Sequence, residues 1–353
     1  MVDLFYKIKE LSALGVKIHL HCFTQGRSPQ HALNQYCEEV HYYVRNKNIR
    51  GFSYKLPFIV KSRASDTLIE RLNQDNYPVL LEGIHCTYHL FTGELANRTI
   101  LVRLHNAEFE YYHHLALHEK NWLKKAYFIR ESKALYNYEH ALANKAVFMA
   151  VSEQDVTIYQ NKLGAKSIFF MPVFTPHAMA GCKEGVGNYC LYHGNLSVNE
   201  NEKAAEWLLK EVFSKTQLPL VIAGKDPSKR LEKLAHKYQH TCLVANPGDA
   251  EMQDLIARAQ VNILPSFNNT GVKLKLINAV FNGRHCLVNE AAVSGSGLAP
   301  YCHTAETATD FVNAIQTLYQ QPFTLNDIEE RQGGLLRLYN NRANAEKLLS
   351  LLS

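Results

Sequence analysis

VNILPSFNNTGVKLKLINAVFNGRHCLVN, residues 261–289, holds two short apolar runs, VNILP (261–265) and HCLVN (285–289), on either side of a helix-period segment at 272–282. A strand, a helix and a second strand in this spacing predict one βα unit of a parallel sheet. On the helix, Leu274, Ile277 and Phe281 share one face, while Gly271, Lys275 and Asn278 fall at i, i+4 and i+7 on the neighbouring one. Asn269-Thr270-Gly271 opens the helix, so unpaired N–H groups and the positive end of the helix dipole are expected at the C-terminal edge of the sheet. That makes an anion site. A lysine and an amide directed there suit a phosphate and a hydroxylated ring; the plainer reading is an exposed Lys275 and an Asn278 that satisfies nearby backbone.

The same alternation runs along the whole chain and gives an α/β class. Further strands are predicted at 188–194, 219–224 and 241–245, with helices at 200–214, 228–238, 250–258, 305–319 and 326–352. In the first half the strands are KIHLHCF (17–23), EVHYY (39–43), PVLLEG (78–83), ILVRLH (100–105) and AVFMAVS (146–152), with a helix at 65–74 capped by Ser65 or Asp66. The aperiodic stretch at 171–188 carries prolines and glycines and reads as the connection between two domains. The expected organisation is a first domain at 1–175, a linker at 176–187, a second domain at 188–325, and C-terminal helices at 326–353 that cross back to the first domain.

A length of 353 residues fits two domains. With 46% hydrophobic and 20% charged residues the composition excludes intrinsic disorder. No apolar run approaches the roughly 18 residues of a membrane span, and Lys7, Lys9 and Glu10 interrupt any secretory leader, so a cytoplasmic location is expected. The eight cysteines form no CxxC pair and read as reduced core thiols. A net charge of +5 suits anionic small molecules, an acidic membrane surface or nucleic acid alike.

The N-terminus breaks the pattern. Phe5, Ile8 and Leu11, with a stop at Gly15, mark a helix before any strand, whereas a doubly wound domain ordinarily begins with a central strand. The first strand of the N-terminal domain is therefore expected to be missing, through a late start codon or a truncated gene.

Two further glycine turns end strands of the second domain, at His193-Gly194-Asn195 and Ala223-Gly224-Lys225. Glycine permits a tight turn and close approach of a ligand, and Lys225 can neutralise a diphosphate. Three such turns in one domain point to a nucleotide-diphosphate site. In the first domain Arg103 and His105 end the strand at 100–105, where parallel sheets bind ligands. His105 can bond a substrate hydroxyl or sit satisfied in the core, and His85 is a second candidate. No GxGxxG follows a strand, and GxxxxGK[ST], DxD and HExxH are absent. These absences weigh against dehydrogenase and P-loop readings and against a metal held by paired carboxylates. The segment 119–145 mixes Trp122 with Lys124, Lys125, Arg130 and Lys133; it reads as a solvated helix face or as a contact with an anionic bilayer.

At SVNENEKAAEWLL, VIAGKDPSK and SFNNTGVKLKLINAVFNGRHCLVNEAAVSGSG the chain resembles the GT-B glycosyltransferases of the family 4 type, close to polysaccharide-assembly enzymes of Bacteroidetes-like bacteria. The resemblance implies two facing doubly wound, Rossmann-like domains, a nucleotide-sugar donor on the second and an acceptor on the first. By motif it places Gly194, Asn195, Lys203, Gly224, Lys225, Gly271 and Val272 at the donor diphosphate, Ala245 and Asn246 at the nucleobase, and His105 beside the donor sugar. From its place at the end of the same strand, Arg103 is the expected catalytic companion of His105. The Glu-x7-Glu pair frequent in such enzymes is replaced by Thr270 and Asn278; Asn278 can still bond ribose hydroxyls. The implied reaction is metal-independent hexosyl transfer, with no cofactor, from a UDP- or GDP-sugar to a saccharide or lipid-linked acceptor. Retention is implied, with the leaving phosphate taking the acceptor proton in the absence of an evident protein base. A peripheral membrane contact is expected and nucleic acid is not. A nucleotide-sugar-binding protein without turnover, or a sugar-nucleotide 2-epimerase, are the competing readings.

Overall fold

The computed structural model describes residues 2–24, 26, 28–46, 56–268 and 270–352. The chain divides into a first unit of Met1–Pro176 with Tyr339–Ser353 and a second unit of His177–Leu338. The described strands are β1 (His19–Thr24), β2 (Glu39–Val44), β3 (Val79–Glu82), β4 (Ile100–Leu104), β5 (Val147–Ala150), β6 (Ile168–Phe170), β7 (Cys190–Asn195), β8 (Leu220–Lys225), β9 (Thr241–Ala245), β10 (Val261–Ile263), β11 (His285–Val288) and β12 (His303–Thr304). Every pairing between them is parallel.

In the first unit β1 pairs with β2, and a separate sheet runs β3-β4-β5-β6. Among the described residues no strand joins β1 to β3. All five residues of β4 are buried, as a strand covered on both faces requires. Its side chains alternate between two cores. Val102 and Leu104 join Phe148, Leu135 and Tyr138 on one face, and Leu101 joins Met149, Leu11, Ala345 and Leu348 on the other. Helix Val2–Ala13 and the final helix Asn341–Ser350 therefore share the second face. Local signals act as their chemistry dictates. Ser65 accepts a bond from Leu68 N to start helix Asp66–Leu72, and Gly164, at φ 65°, ends helix Glu153–Leu163 in the left-handed region.

The second unit is one sheet of order β12-β11-β10-β7-β8-β9. The chain runs outward through β7, β8 and β9, then returns to place β10 on the other side of β7. Such a reversal opens a crevice at the C-terminal strand ends, where open α/β sheets bind ligands.

Two expected boundaries move. The predicted helix 326–352 is two helices, Leu325–Leu338 and Asn341–Ser350, because Asn340 breaks the run and caps the second by accepting from Ala343 N. The first of them stays in the second unit, where Arg331 donates to the carbonyls of Val280 and Gly283. Likewise the predicted linker is packed: Gly181 N donates to Phe281 O, Gly185 exchanges bonds with Phe323, and Gly187 N donates to Gln260. β6 and β12 were not predicted; at three and two residues they are too short to show a period.

Candidate functional site

The register of the second sheet sets three loops side by side. Gly194 pairs with Gly224, Asn195 with Lys225, and Gly224 with Ala245. A Cβ on Gly224 would lie 1.9 Å from the carbonyl oxygen of Gly194 and 2.8 Å from Leu196. The two backbones approach as closely as they do only because residue 224 has no side chain. Gly194 is less constrained, since a Cβ there would meet Asn201 at 3.5 Å, an ordinary contact. Gly224→Ala is therefore expected to disturb this edge and destabilise the second unit by at least the 1–3 kcal/mol of an overpacked core, read by thermal unfolding; an unchanged midpoint would refute the constraint.

Beyond the glycines the loops tie to one another. Leu196 N and Ser197 N donate to Lys225 O at 2.9 and 3.2 Å. Asn246 sits at φ 52°, its N–H donates to Gly224 O, and its side-chain oxygen accepts from Asp226 N at 2.8 Å. The Asn246 amide thus shapes the loop after β8, while Ala245 is exposed beside it. The Lys225 side chain is largely exposed, 3.9 Å from the Asp226 carboxylate, and is placed to meet a ligand from solvent.

Lys275 is the most constrained cation of this edge. Its Nζ donates to Asn201 Oδ1 at 2.9 Å and to Tyr192 Oη at 3.2 Å, and lies 4.7 Å from the Tyr192 ring centre. Asn201 Nδ2 in turn donates to the carbonyl of Asn195. One asparagine thereby couples the lysine to the first glycine loop. Burial pushes the Lys275 ammonium down to about 8, with Lys273 adding to the shift.

The sequence reading missed Tyr192 and Asn201. Tyr192 lies within the buried run of β7, where nothing in the sequence sets it apart from its apolar neighbours. Asn201 lies among the polar residues that open helix Asn199–Trp207, where its only signal is proximity to Gly194.

The helix predicted from 272 begins at Leu274, because Gly271 is left-handed at φ 64° and Lys273 is extended. Gly271 and Val272 thus lie in the turn before the helix rather than on its first turn. Thr270 donates through N and Oγ1 to Asn268 Oδ1, both at 2.8 Å. Asn268 in turn donates to Glu200 at 3.3 Å. Asn278 accepts from Asn282 Nδ2 at 2.7 Å, and Lys203 stands exposed on helix Asn199–Trp207. Asn269 lies outside the described residues.

In the first unit a polar group gathers at the ends of β3 and β4. Here the expected catalytic companion is corrected. Arg103 is wholly buried, donates to both Asp3 carboxylate oxygens at 3.3 and 3.0 Å, and donates to the carbonyls of Met171 and Pro172. Residues 101 and 103 share a face, and that face is covered by helix Val2–Ala13, so Arg103 fastens the helix and offers no group to a ligand. Lys7 bridges Glu82 at 2.5 Å and Asp3 at 3.3 Å. Burial alone would raise Asp3, but Lys7 and Arg103 outweigh it and hold the carboxyl well below its usual range. Glu82 is lowered in the same way, burial being outweighed by Lys7 and His105.

His105 is about one-third exposed, with Nε2 3.4 Å from Glu82. Asp3, Glu82 and His105 present atoms within 4.8 Å of one another. Lys7 already bridges both carboxylates and Arg103 pairs with Asp3, and their positive charge opposes a divalent cation there.

His85 folds back over Gly83, where a Cβ would come within 2.4 Å of its ring. Burial and the neighbouring Arg63 and His105 push its imidazole down to about 3, so it is neutral at physiological pH. Glu108, in the first turn of helix Glu108–His118, faces the same group. The sequence reading passed over it.

Elsewhere, helix Trp122–Leu142 leaves Trp122 74% and Leu123 60% exposed beside the exposed Lys124 and Lys125. No helix among the described residues is long and apolar enough to cross a membrane. All eight cysteines are free; Cys37, Cys190 and Cys286 are buried and Cys242 is exposed.

Two units of parallel αβ construction, the second with glycine loops and a lysine at its strand-order reversal, have the GT-B fold of solved glycosyltransferases. Residues 187–321 match the family model of the glycosyl transferases group 1. The chain is 27% identical over 322 residues to an uncharacterized 44.6 kDa protein in the cps region of Klebsiella pneumoniae, covering 84% of this chain and 80% of that one. Among solved structures it is similar to a sucrose-phosphate synthase of Thermosynechococcus elongatus, with a TM-score of 0.68 and 16% identity over 98% of this chain and 90% of that one. It is similar in the same degree to HepE of Anabaena in complex with UDP, with a TM-score of 0.68 and 12% identity over 99% and 95%. The chain spans 57% of the length of TarM, which it also matches in fold.

Proposed function

We propose that this chain transfers a glycosyl group from a nucleoside-diphosphate sugar, UDP-linked in the first instance, to the hydroxyl of a saccharide or lipid-linked acceptor in polysaccharide synthesis. The observation that carries the reading is the alignment of Gly194, Gly224 and Ala245 beside a largely buried Lys275 at the strand-order reversal. Charge grows on the diphosphate as the sugar leaves, and a cation held by two hydrogen bonds in a desolvated place stabilises that charge without reorganising. Lys225, exposed to solvent, adds a screened attraction that guides the donor in. The UDP bound in HepE and the cps-region setting of the Klebsiella relative agree with this reading.

Retention and independence of divalent metal are part of the proposal, with His105 orienting the sugar or the acceptor. The exposed Trp122 and Leu123 among lysines would rest on the cytoplasmic face of an anionic membrane when the acceptor is lipid-linked. Titration calorimetry with UDP, GDP and ADP tests the donor site: one of the three should bind, and binding of none would overturn it. EDTA should leave the transfer rate unchanged, whereas a rate lost to EDTA and restored by Mg²⁺ would remove the metal-free mechanism. Thr270 and Asn278, in place of two carboxylates, favour a second reading as a nucleotide-sugar-binding partner. UDP binding with no UDP release from any UDP-hexose would establish that alternative.

A further inference from the structure

The second unit carries a basic depression distinct from the donor edge. Its volume is about 510 Å³, and its lining of Lys210, Lys229, Arg230, Lys233, Leu234 and Lys237 brings five cations together with no carboxylate. Lys229 and Arg230 open helix Lys229–Ala235, which Ser228 caps, and Lys233 and Lys237 follow Lys229 at successive four-residue steps. Lys210 comes from the turn Leu208–Val212, which extends helix Asn199–Trp207.

Local physics works against this arrangement. The positive end of the helix dipole repels cations in the first turn, where Lys229 and Arg230 stand. Like charges four residues apart repel each other, as Lys229, Lys233 and Lys237 must. The acid that answers them is Glu206, which is buried and bridges Arg230 at 2.7 Å and Lys210 at 3.0 Å. Glu202 is engaged elsewhere, by the hydroxyl of Ser228. Among the described residues no carboxylate bridges Lys229, Lys233 or Lys237. All five cations are exposed, so a ligand can reach them from solvent.

We propose that this depression is a second anion site, built for a compact oligophosphate. Its volume falls within the roughly 300–1,000 Å³ of small-ligand sites, which suits a short chain of phosphoryl groups. Lysine heads serve phosphates as movable point charges, and Arg230, already held by Glu206, adds a planar fork. A bilayer fits less well. Segments that lie on membranes set large exposed apolar groups beside their cations, whereas the one apolar side chain here, Leu234, is half-buried. An extended nucleic acid would call for stacking aromatics, and the lining has none. The site shares no residue with the glycine loops or the Lys275 group, so it stands whether or not the transfer reading does.

The experiment is calorimetry of the full chain with inorganic tripolyphosphate and with orthophosphate, beside sedimentation with phosphatidylcholine vesicles prepared with and without phosphatidylglycerol. Wild type should bind tripolyphosphate far more tightly than orthophosphate. The triple variant Lys229→Ala, Lys233→Ala, Lys237→Ala should weaken tripolyphosphate roughly 10–100-fold, as three exposed charge contacts are lost together. A second triple variant, Lys9→Ala, Lys17→Ala, Lys166→Ala, removes as many exposed lysines from the first unit and should bind as wild type does. Lys275→Met should also keep the binding, which separates it from the donor edge. The free Lys229, Lys233, Lys237 variant should melt no lower than wild type, because its losses relieve repulsion rather than remove packing.

Wild type that does not bind tripolyphosphate overturns the site, as does a Lys229, Lys233, Lys237 variant that binds it equally well. Equal weakening in the two triple variants would reduce the effect to net charge and overturn it too. Sedimentation with phosphatidylglycerol vesicles that is lost in the Lys229, Lys233, Lys237 variant, without tripolyphosphate binding, would assign the face to a membrane instead.

Discussion

Arg103→Ala is expected to lower the unfolding free energy by about 3–5 kcal/mol, the scale for removing one partner of a buried ion pair. The guanidinium is 0% exposed and serves Asp3, Met171 and Pro172 together. Removing it leaves two carbonyls without this donor and leaves Asp3 with Lys7 as its remaining cation. Asp3 also accepts from Phe174 N, so the loss spreads to the segment that leaves the first unit. Urea unfolding followed by tryptophan fluorescence measures the effect. The pH dependence adds a second sign. Asp3 is depressed in the fold, so its contribution is present above the ordinary carboxyl value of 3.8 and is lost as pH falls below it. Without Arg103 the depression shrinks, and the variant's deficit against wild type should narrow in acid. A variant as stable as wild type at neutral pH would refute the fastening role and reopen Arg103 as a ligand group.

Lys275→Met should weaken UDP binding by roughly 10–150-fold, corresponding to about 1.5–3 kcal/mol for a hydrogen bond to a charged group. Methionine keeps most of the side-chain volume, so the loss reports charge and hydrogen bonding rather than a cavity. The same replacement should raise the thermal midpoint of the free protein at neutral pH, because burial disfavours the ammonium and the variant removes that cost. Wild-type affinity should also decline above about pH 8, where the free protein's Lys275 begins to lose its proton. Unchanged calorimetric affinity in the variant would exclude Lys275 from the diphosphate. A lowered midpoint would instead mark it as a packing residue.

The glycine loops and the lysine of the second unit were legible because their signals are local. A glycine at the end of an apolar run and a lysine one helical turn beyond another glycine are both visible within a few residues. The register that sets Gly194 against Gly224 follows from ordinary parallel pairing. What failed depends on contacts far apart in the chain. Arg103 read as a site residue because it ends a strand, but strand parity turns it toward helix Val2–Ala13, about a hundred residues away in sequence. The start of the 272–282 helix slipped to Leu274 because the φ of Gly271 is a backbone choice that composition does not specify.

The return of Tyr339–Ser353 to the first unit bears on how the protein is made. As the chain leaves the ribosome, residues up to 176 emerge first, yet the face carrying Leu11, Leu101 and Met149 still lacks Ala345 and Leu348. The second unit is contiguous and can close as soon as it has emerged. The first unit is thus begun before the second and completed after it, and until Ala345 and Leu348 emerge it presents an apolar face.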